Sequence, residues 1–96
     1  MKILIVEDDN DTAILYKRAL EAKGHQITIT NNGEGCLQVY HKELQNITLN
    51  INATMHVQLF DSVVLDYKIL KINGIEVAKE ILAVNPHQRI IFDLRM

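Results

Sequence analysis

A single α/β domain built on a parallel sheet is the fold class this sequence predicts, and three observations carry it. Two short apolar, largely β-branched runs, Lys2-Ile3-Leu4-Ile5-Val6 and Val63-Val64-Leu65, read as strands buried on both faces, as parallel sheets require. Each run stops abruptly at carboxylates: Glu7-Asp8-Asp9 after the first, Asp66 after the second. Strand-like and helix-like stretches alternate along the chain, which is the rhythm of right-handed βαβ units.

The elements follow in order. After the first strand, Asn10 or Asp11 caps a helix running to about Lys23. Ala13, Tyr16 and Leu20 define its inward stripe, and Ile14, Leu15 and Ala19 widen it. Gly24 is placed to close that helix as the left-handed residue. His25 to Thr30 alternates apolar and polar, as a strand near a sheet edge does. Asn31-Asn32-Gly33 marks a turn, and a second helix follows from Glu34 to Gln45, with Leu37, Tyr40, His41 and Leu44 at helical spacing.

From Ile47 to Leu59 every odd position is apolar and every even one polar, a period of two that predicts extended structure. This stretch, about 46–58, reads as an insertion forming a hairpin or an extended flap against the body of the domain. The strand ending at Asp66 comes next, and Tyr67 to Gly74 reads as a loop. A helix then runs from Ile75 to about Val84, with Ile75, Ala78, Ile81 and Leu82 inward and Asn85-Pro86 as its stop. Arg89-Ile90-Ile91-Phe92 completes the set as a fourth buried-type strand.

Composition narrows the function classes. Ninety-six residues make one domain, 1–96, near the lower size limit for a self-sufficient core. A net charge of −2 with no Lys/Arg-rich block argues against direct nucleic-acid binding. No stretch is long and apolar enough to span a membrane, and the first apolar run is too short for a signal-peptide core. The lone Cys36 excludes an intrachain disulfide and fits a reducing, cytoplasmic setting. It has no basic neighbour and reads as an inert small hydrophobe. His25, His41, His56 and His87 share no ligand spacing. No glycine-rich phosphate loop is present, which argues against a nucleotide enzyme.

The candidate chemistry lies in the acids. An unpaired carboxylate is costly in an apolar interior, so Asp66 belongs where its strand emerges. In open α/β sheets that emergence point is where ligands bind. If the first strand is its parallel neighbour, Glu7 and Asp8 crowd the same rim. Oxygens of one sign converging there call for a hard cation, and Mg²⁺ is the usual one. The competing reading is that Glu7, Asp8, Asp9 and Asp11 only begin a helix, where acids suit the positive end of the dipole.

Lys2 to Asp9 resembles the opening of a response-regulator receiver domain. So do Val63 to Lys68, centred on Asp66, and Asn-Gly-Ile-Glu-Val at Asn73 to Val77. The resemblance spans the chain apart from the insertion. It implies a three-layer, flavodoxin-like parallel sheet of order 2-1-3-4, a (βα)₅ receiver lacking its last strand and helices. It implies that Asp66 accepts a phosphoryl group from a phosphohistidine on a sensor histidine kinase or phosphotransfer protein. Asp8, Asp66 and the backbone carbonyl of Lys68 would be the Mg²⁺ ligands, with Glu7 as the neighbouring acid. Such a protein is a switch, not a conventional enzyme, limited to its own phosphorylation and autodephosphorylation.

Three departures qualify the resemblance. Leu94 stands where receivers carry a hydroxyl at the end of the fourth strand. The lysine that follows the fifth strand has no counterpart, and Ile69-Leu70 replaces the common Met-Pro after the acceptor. Losing one preorganised donor or charge of this kind costs about 10²–10³ in rate. The second hypothesis is therefore a phosphorylation-impaired pseudo-receiver acting as a protein-interaction module. The resemblance also leaves the fourth strand at an edge, which suggests a homodimer through that strand or cover from the Ile47–Leu59 segment.

Overall fold

Residues 1–50 and 59–93 are described by the structure, a computed structural model. Strands β1 (Lys2–Val6), β2 (Gln26–Thr30), β3 (Ser62–Asp66) and β4 (Ile90–Asp93) form one parallel sheet in the order β2-β1-β3-β4. This is the predicted fold. The register runs from Lys2 opposite Gln26, from Ile3 opposite Ser62, and from Val63 opposite Ile90.

Side chains alternate across the sheet, so each strand feeds two cores. Ile3, Ile5 and Ile27 meet Tyr16 and Leu20 of helix α1 (Asn10–Glu21) on one face. Leu4, Val6, Val63 and Leu65 meet the other helices on the opposite face. Those helices are α2 (Gly33–Asn50), the single turn α3 (Tyr67–Ile69) and α4 (Ile75–Val84). Their buried contributions are Cys36 and Tyr40, Ile69, and Val77, Ala78 and Ile81.

Local chemistry sets the helix ends. Asp9, not Asn10 or Asp11, caps α1: its side chain accepts from the N–H groups of Asp11 (3.0 Å) and Thr12 (3.4 Å). Gly24 adopts φ +89°, its N–H bonded to the Glu21 carbonyl at 2.9 Å and that of His25 to Leu20 at 3.2 Å. Gly24 thus closes the helix as predicted. Gly33 opens α2 for a different reason. A Cβ there would lie 2.6 Å from Val77 Cγ2, so the two helix starts touch only because the side chain is absent.

Several expectations are corrected. On α1, Ile14, Leu15 and Ala19 are exposed; among the described residues no second helix covers that face, so the wide stripe is only partly buried. Helix α2 continues to Asn50, which overrides the period-two reading over its first residues. Once a helix is running, each further residue adds a hydrogen bond without a new nucleation cost, and a short alternation cannot oppose that. The rest of the insertion, 51–58, lies outside the described residues. The stretch after Asp66 is helical turn, not loop: α3 continues through a π-type turn, Leu70–Gly74, kinked at Asn73. In α4, Val77 replaces Ile75 and Leu82 in the buried set. Strand β4 is less buried than expected, with Ile91 and Phe92 exposed.

A buried polar knot ties the end of the sheet away from the acids. Tyr40, fully buried, donates from its hydroxyl to Gln88 Oε1 at 2.8 Å and accepts from Asn85 Nδ2 at 3.0 Å. Gln88 Nε2 donates to the carbonyls of Phe60 (2.8 Å) and Arg89 (3.0 Å). One knot therefore links α2, the entry to β3 and the approach to β4. Removing one partner of a buried bond leaves the other desolvated and unpaired. Tyr40→Phe should lower unfolding stability by about 1–2 kcal/mol in urea titration with the m-value unchanged. Tyr40→Ala should cost about 3–5 kcal/mol.

Burial pushes the Cys36 thiol from its ordinary 9.0 up to about 12, as expected of an inert hydrophobe. A group whose folded value is raised contributes stability that is complete below its unfolded value and is lost as pH rises through the folded one. Stability should therefore fall above pH 9, and Cys36→Val should flatten that alkaline slope in thermal melts.

Candidate functional site

Val6 lies opposite Leu65 in the β1–β3 ladder, so the chain leaves both strands at the same rim. The next residues are Glu7 on one strand and Asp66 on the other. Glu7 is still held by the sheet, its N–H donating to the Thr30 carbonyl at 2.9 Å. One carboxylate oxygen each from Glu7, Asp8 and Asp66 all lie within 4.8 Å of one another. Glu7 and Asp66 are 4% and 7% exposed, whereas Asp8 faces solvent. The triad read from the sequence thus converges in space.

Hydrogen bonds fix these groups. Asp66 Oδ1 accepts from the Ile69 N–H at 2.8 Å, so the helical turn after β3 orients the carboxylate. Glu7 Oε1 accepts from the Asp9 N–H at 3.2 Å. Burial pushes the Glu7 carboxyl above its usual range; the Asp9 N–H opposes this, while the negative charges of Asp66 and Asp8 add to it. The helix-start reading accounts for Asp9, whose carboxyl is lowered chiefly by the N–H groups of Thr12 and Asp11, and for Asp11 in the first turn of α1. It does not account for Glu7 and Asp8, which cluster with Asp66.

Crowded, partly desolvated carboxylates are a donor set suited to a hard divalent cation such as Mg²⁺. This acidic triad is typical of a receiver Mg²⁺ site.

Two features escape a reading of the sequence. Lys68, singled out only for its backbone carbonyl, also brings its ammonium 3.6 Å from Asp8 Oδ2. That contact depends on the α3 turn, which periodicity does not reveal. Asp93 stands opposite Asp66 in the β3–β4 register and accepts from the Tyr16 hydroxyl at 3.3 Å. Leu94, noted for its missing hydroxyl, lies outside the described residues.

Comparison with known proteins agrees with this geometry. The family model described as response regulator receiver domain matches residues 3–93. Among solved structures, a response regulator receiver domain protein from Clostridium thermocellum matches with TM-score 0.71 and 23% identity, covering 95% of this chain and 62% of that one. A structure of the histidine kinase ThkA in complex with the response regulator protein TrrA matches with TM-score 0.65 and 28% identity, over 95% and 66% of the two chains. The non-phosphorylated HemR receiver domain from Leptospira biflexa gives TM-score 0.65 and 23% identity, over 95% and 61%. The chain therefore spans less than two thirds of the length of these structures. No curated protein matches it. Among the described residues no helix is long and apolar enough to cross a membrane. With the matched model covering both acidic strand ends and the sheet between them, the chain belongs to the response regulator receiver domain family of two-component signalling.

Proposed function

We propose that Asp66 is a phosphoacceptor, taking a phosphoryl group from a phosphohistidine on a histidine kinase or phosphotransfer partner. The observation that carries this reading is the convergence of Glu7, Asp8 and Asp66 at the ends of two adjacent parallel strands. The kinase partner is supported by a homologous receiver that is crystallised with a histidine kinase.

In the proposed transfer an oxygen of Asp66 attacks phosphorus, the phosphorus–nitrogen bond of the phosphohistidine breaks, and the departing imidazole takes a proton from solvent. The product is an acyl phosphate on Asp66. The Ile69 N–H holds the carboxylate through Oδ1, reducing the entropy cost of alignment. Glu7, Asp8, Asp66 and the Lys68 carbonyl would hold Mg²⁺, which when bound supplies positive charge against the phosphoryl oxygens. The Lys68 ammonium, already at the rim beside Asp8, adds charge of the same sign.

Acetyl phosphate with Mg²⁺ should add one phosphoryl group to the intact protein by mass spectrometry, and none to Asp66→Asn. Lys68→Ala should slow the reaction by up to about 10²-fold. A protein that never gains the group would instead be the interaction module without phosphoacceptance. Mg²⁺ binding is checked separately by thermal melts. An excess of about a hundredfold over Kd should stabilise the protein by about 2.7 kcal/mol, and Asp8→Asn or Asp66→Asn should lose most of that shift.

A further inference from the structure

We propose that β2 is the interface of a symmetric dimer, pairing antiparallel with β2 of a second copy while the two α1 helices pack beside each other. In the order β2-β1-β3-β4 this strand closes the sheet on the side away from β4, and among the described residues nothing pairs with its outer side. Any strand following β4 would extend the opposite side and leave β2 an edge. The Gln26 N–H donates to the Met1 carbonyl at 2.8 Å, and the Thr30 carbonyl accepts from the Glu7 N–H at 2.9 Å. Gln26, Thr28 and Thr30 thus turn their backbone groups toward β1. The N–H and C=O of Ile27 and Ile29 point outward, as alternate residues of a parallel ladder do. Sheet edges are ordinarily blunted by lysine, proline or inward-pointing charges. From His25 to Gly33 there is no Lys, Arg, Asp, Glu or Pro, so this edge carries no such guard.

One alignment pairs the whole of the strand. It sets Thr28 against Thr28 of the second copy at the two-fold axis, with Ile27 opposite Ile29 and Gln26 opposite Thr30. The Ile27–Ile29 pairs exchange their outward backbone hydrogen bonds. Three further features fit this alignment. First, Thr30 Oγ1 is buried without a hydrogen-bond partner, an uncommon and costly state. Thr30 itself is part-exposed, so rotation about χ1 turns its hydroxyl to the exposed Gln26 amide opposite. Second, an apolar groove runs beside β2, lined by Asn10, Ala13, Ile14 and Lys17 of α1 and by Ile27 and Ile29. Its middle sets Ile14, 48% exposed, level with the axis, where it meets Ile14 of the second copy. Helix α1 packs on both β1 and β2. With adjacent strands about 4.8 Å apart, two such helices come within about 10 Å, the ordinary distance for packed helices. Third, the charges of α1 are divided along its length. Asp8, Asp9 and Asp11 lie at its start, while Lys17, Arg18 and Lys23 outnumber Glu21 toward its end. An axis at Ile14 runs the helices antiparallel and lays each acidic start beside the other copy's basic half. Lys17 makes no ion pair among the described residues. This charge complementarity, repeated by the two-fold, selects a second copy over an unrelated strand.

Sedimentation equilibrium of the 96-residue protein should approach twice the chain mass as concentration rises, and added salt should weaken the dimer. Ile14→Glu sets two like charges at the axis and should give a monomer with an unchanged far-UV spectrum. Lys17→Glu should raise the dissociation constant about tenfold, and Asp11→Lys added to it should restore the original value. Disulfide trapping reads the register. Opposed Cα atoms at the axis lie about 4.5 Å apart, within disulfide reach, so Thr28→Cys should oxidise to a covalent dimer. Gln26→Cys should not, because each Gln26 faces Thr30 and the two copies of position 26 lie about 14 Å apart along the strands. Native Cys36 is buried and silent in this assay. A monomer at every concentration, which leaves the edge to an extended segment of another protein, would overturn the proposal. So would a dimer that survives Ile14→Glu and Lys17→Glu, or cross-linking at 26 in preference to 28.

Discussion

The parallel alignment of β1 with β3 is the constraint on which the rest of this molecule depends. Two strands running side by side in the same direction end at the same rim. With Val6 opposite Leu65, the residues that follow are acids on both. The apolar runs drive the strands into the core, and the alignment then forces Glu7, Asp8 and Asp66 together against their mutual repulsion. Burial of hydrocarbon along both strands, worth about 1.5–3 kcal/mol per fully buried side chain, is large enough to hold that arrangement. The Glu7 carboxyl is raised first by its burial and further by the charges of Asp66 and Asp8.

The acidic rim and the Tyr40–Gln88 knot occupy opposite ends of the same sheet, and their polar groups are treated differently. At the knot, donors and acceptors satisfy one another within the fold. At the rim, three carboxylates converge beside the N–H groups of Ile69 and Asp9 and the Lys68 ammonium. A satisfied network rigidifies, whereas converging carboxylates are a donor set suited to a hard cation. The fold sets the two apart, the anchored end lying opposite the acidic one.

The sheet and its site were largely legible in the sequence because both follow from patterns of short range. Val63-Val64-Leu65 ending in Asp66 declares a buried strand and an emergent acid without knowledge of any neighbour. What remained hidden depends on contacts between distant segments. Gln88 is an ordinary polar residue in the sequence and becomes structural only when Tyr40 and Phe60 close around it. The exposure of Ile14 and Leu15 is set by what lies over α1, which its periodicity cannot tell. The alternation starting at Ile47 follows the rule for a strand, yet α2 carries its helix through to Asn50. The turn beyond Asp66 has few sequence markers, and it is this turn that delivers the Lys68 ammonium.

The link between Lys2 and Asp61 also bears on the order in which the molecule is assembled. The Asp61 N–H meets the Lys2 carbonyl at 2.7 Å and its side chain accepts from the Lys2 N–H at 2.6 Å, joining positions 59 residues apart. β1 and β2 can associate across a short helical connection, but β3 must wait for a far longer loop to close, and such late contacts slow folding. On the ribosome, the first strand emerges long before its central partner exists. A nascent chain of this protein therefore carries Glu7 and Asp8 without their third member, and the cluster comes into being only in the step that finishes the middle of the sheet.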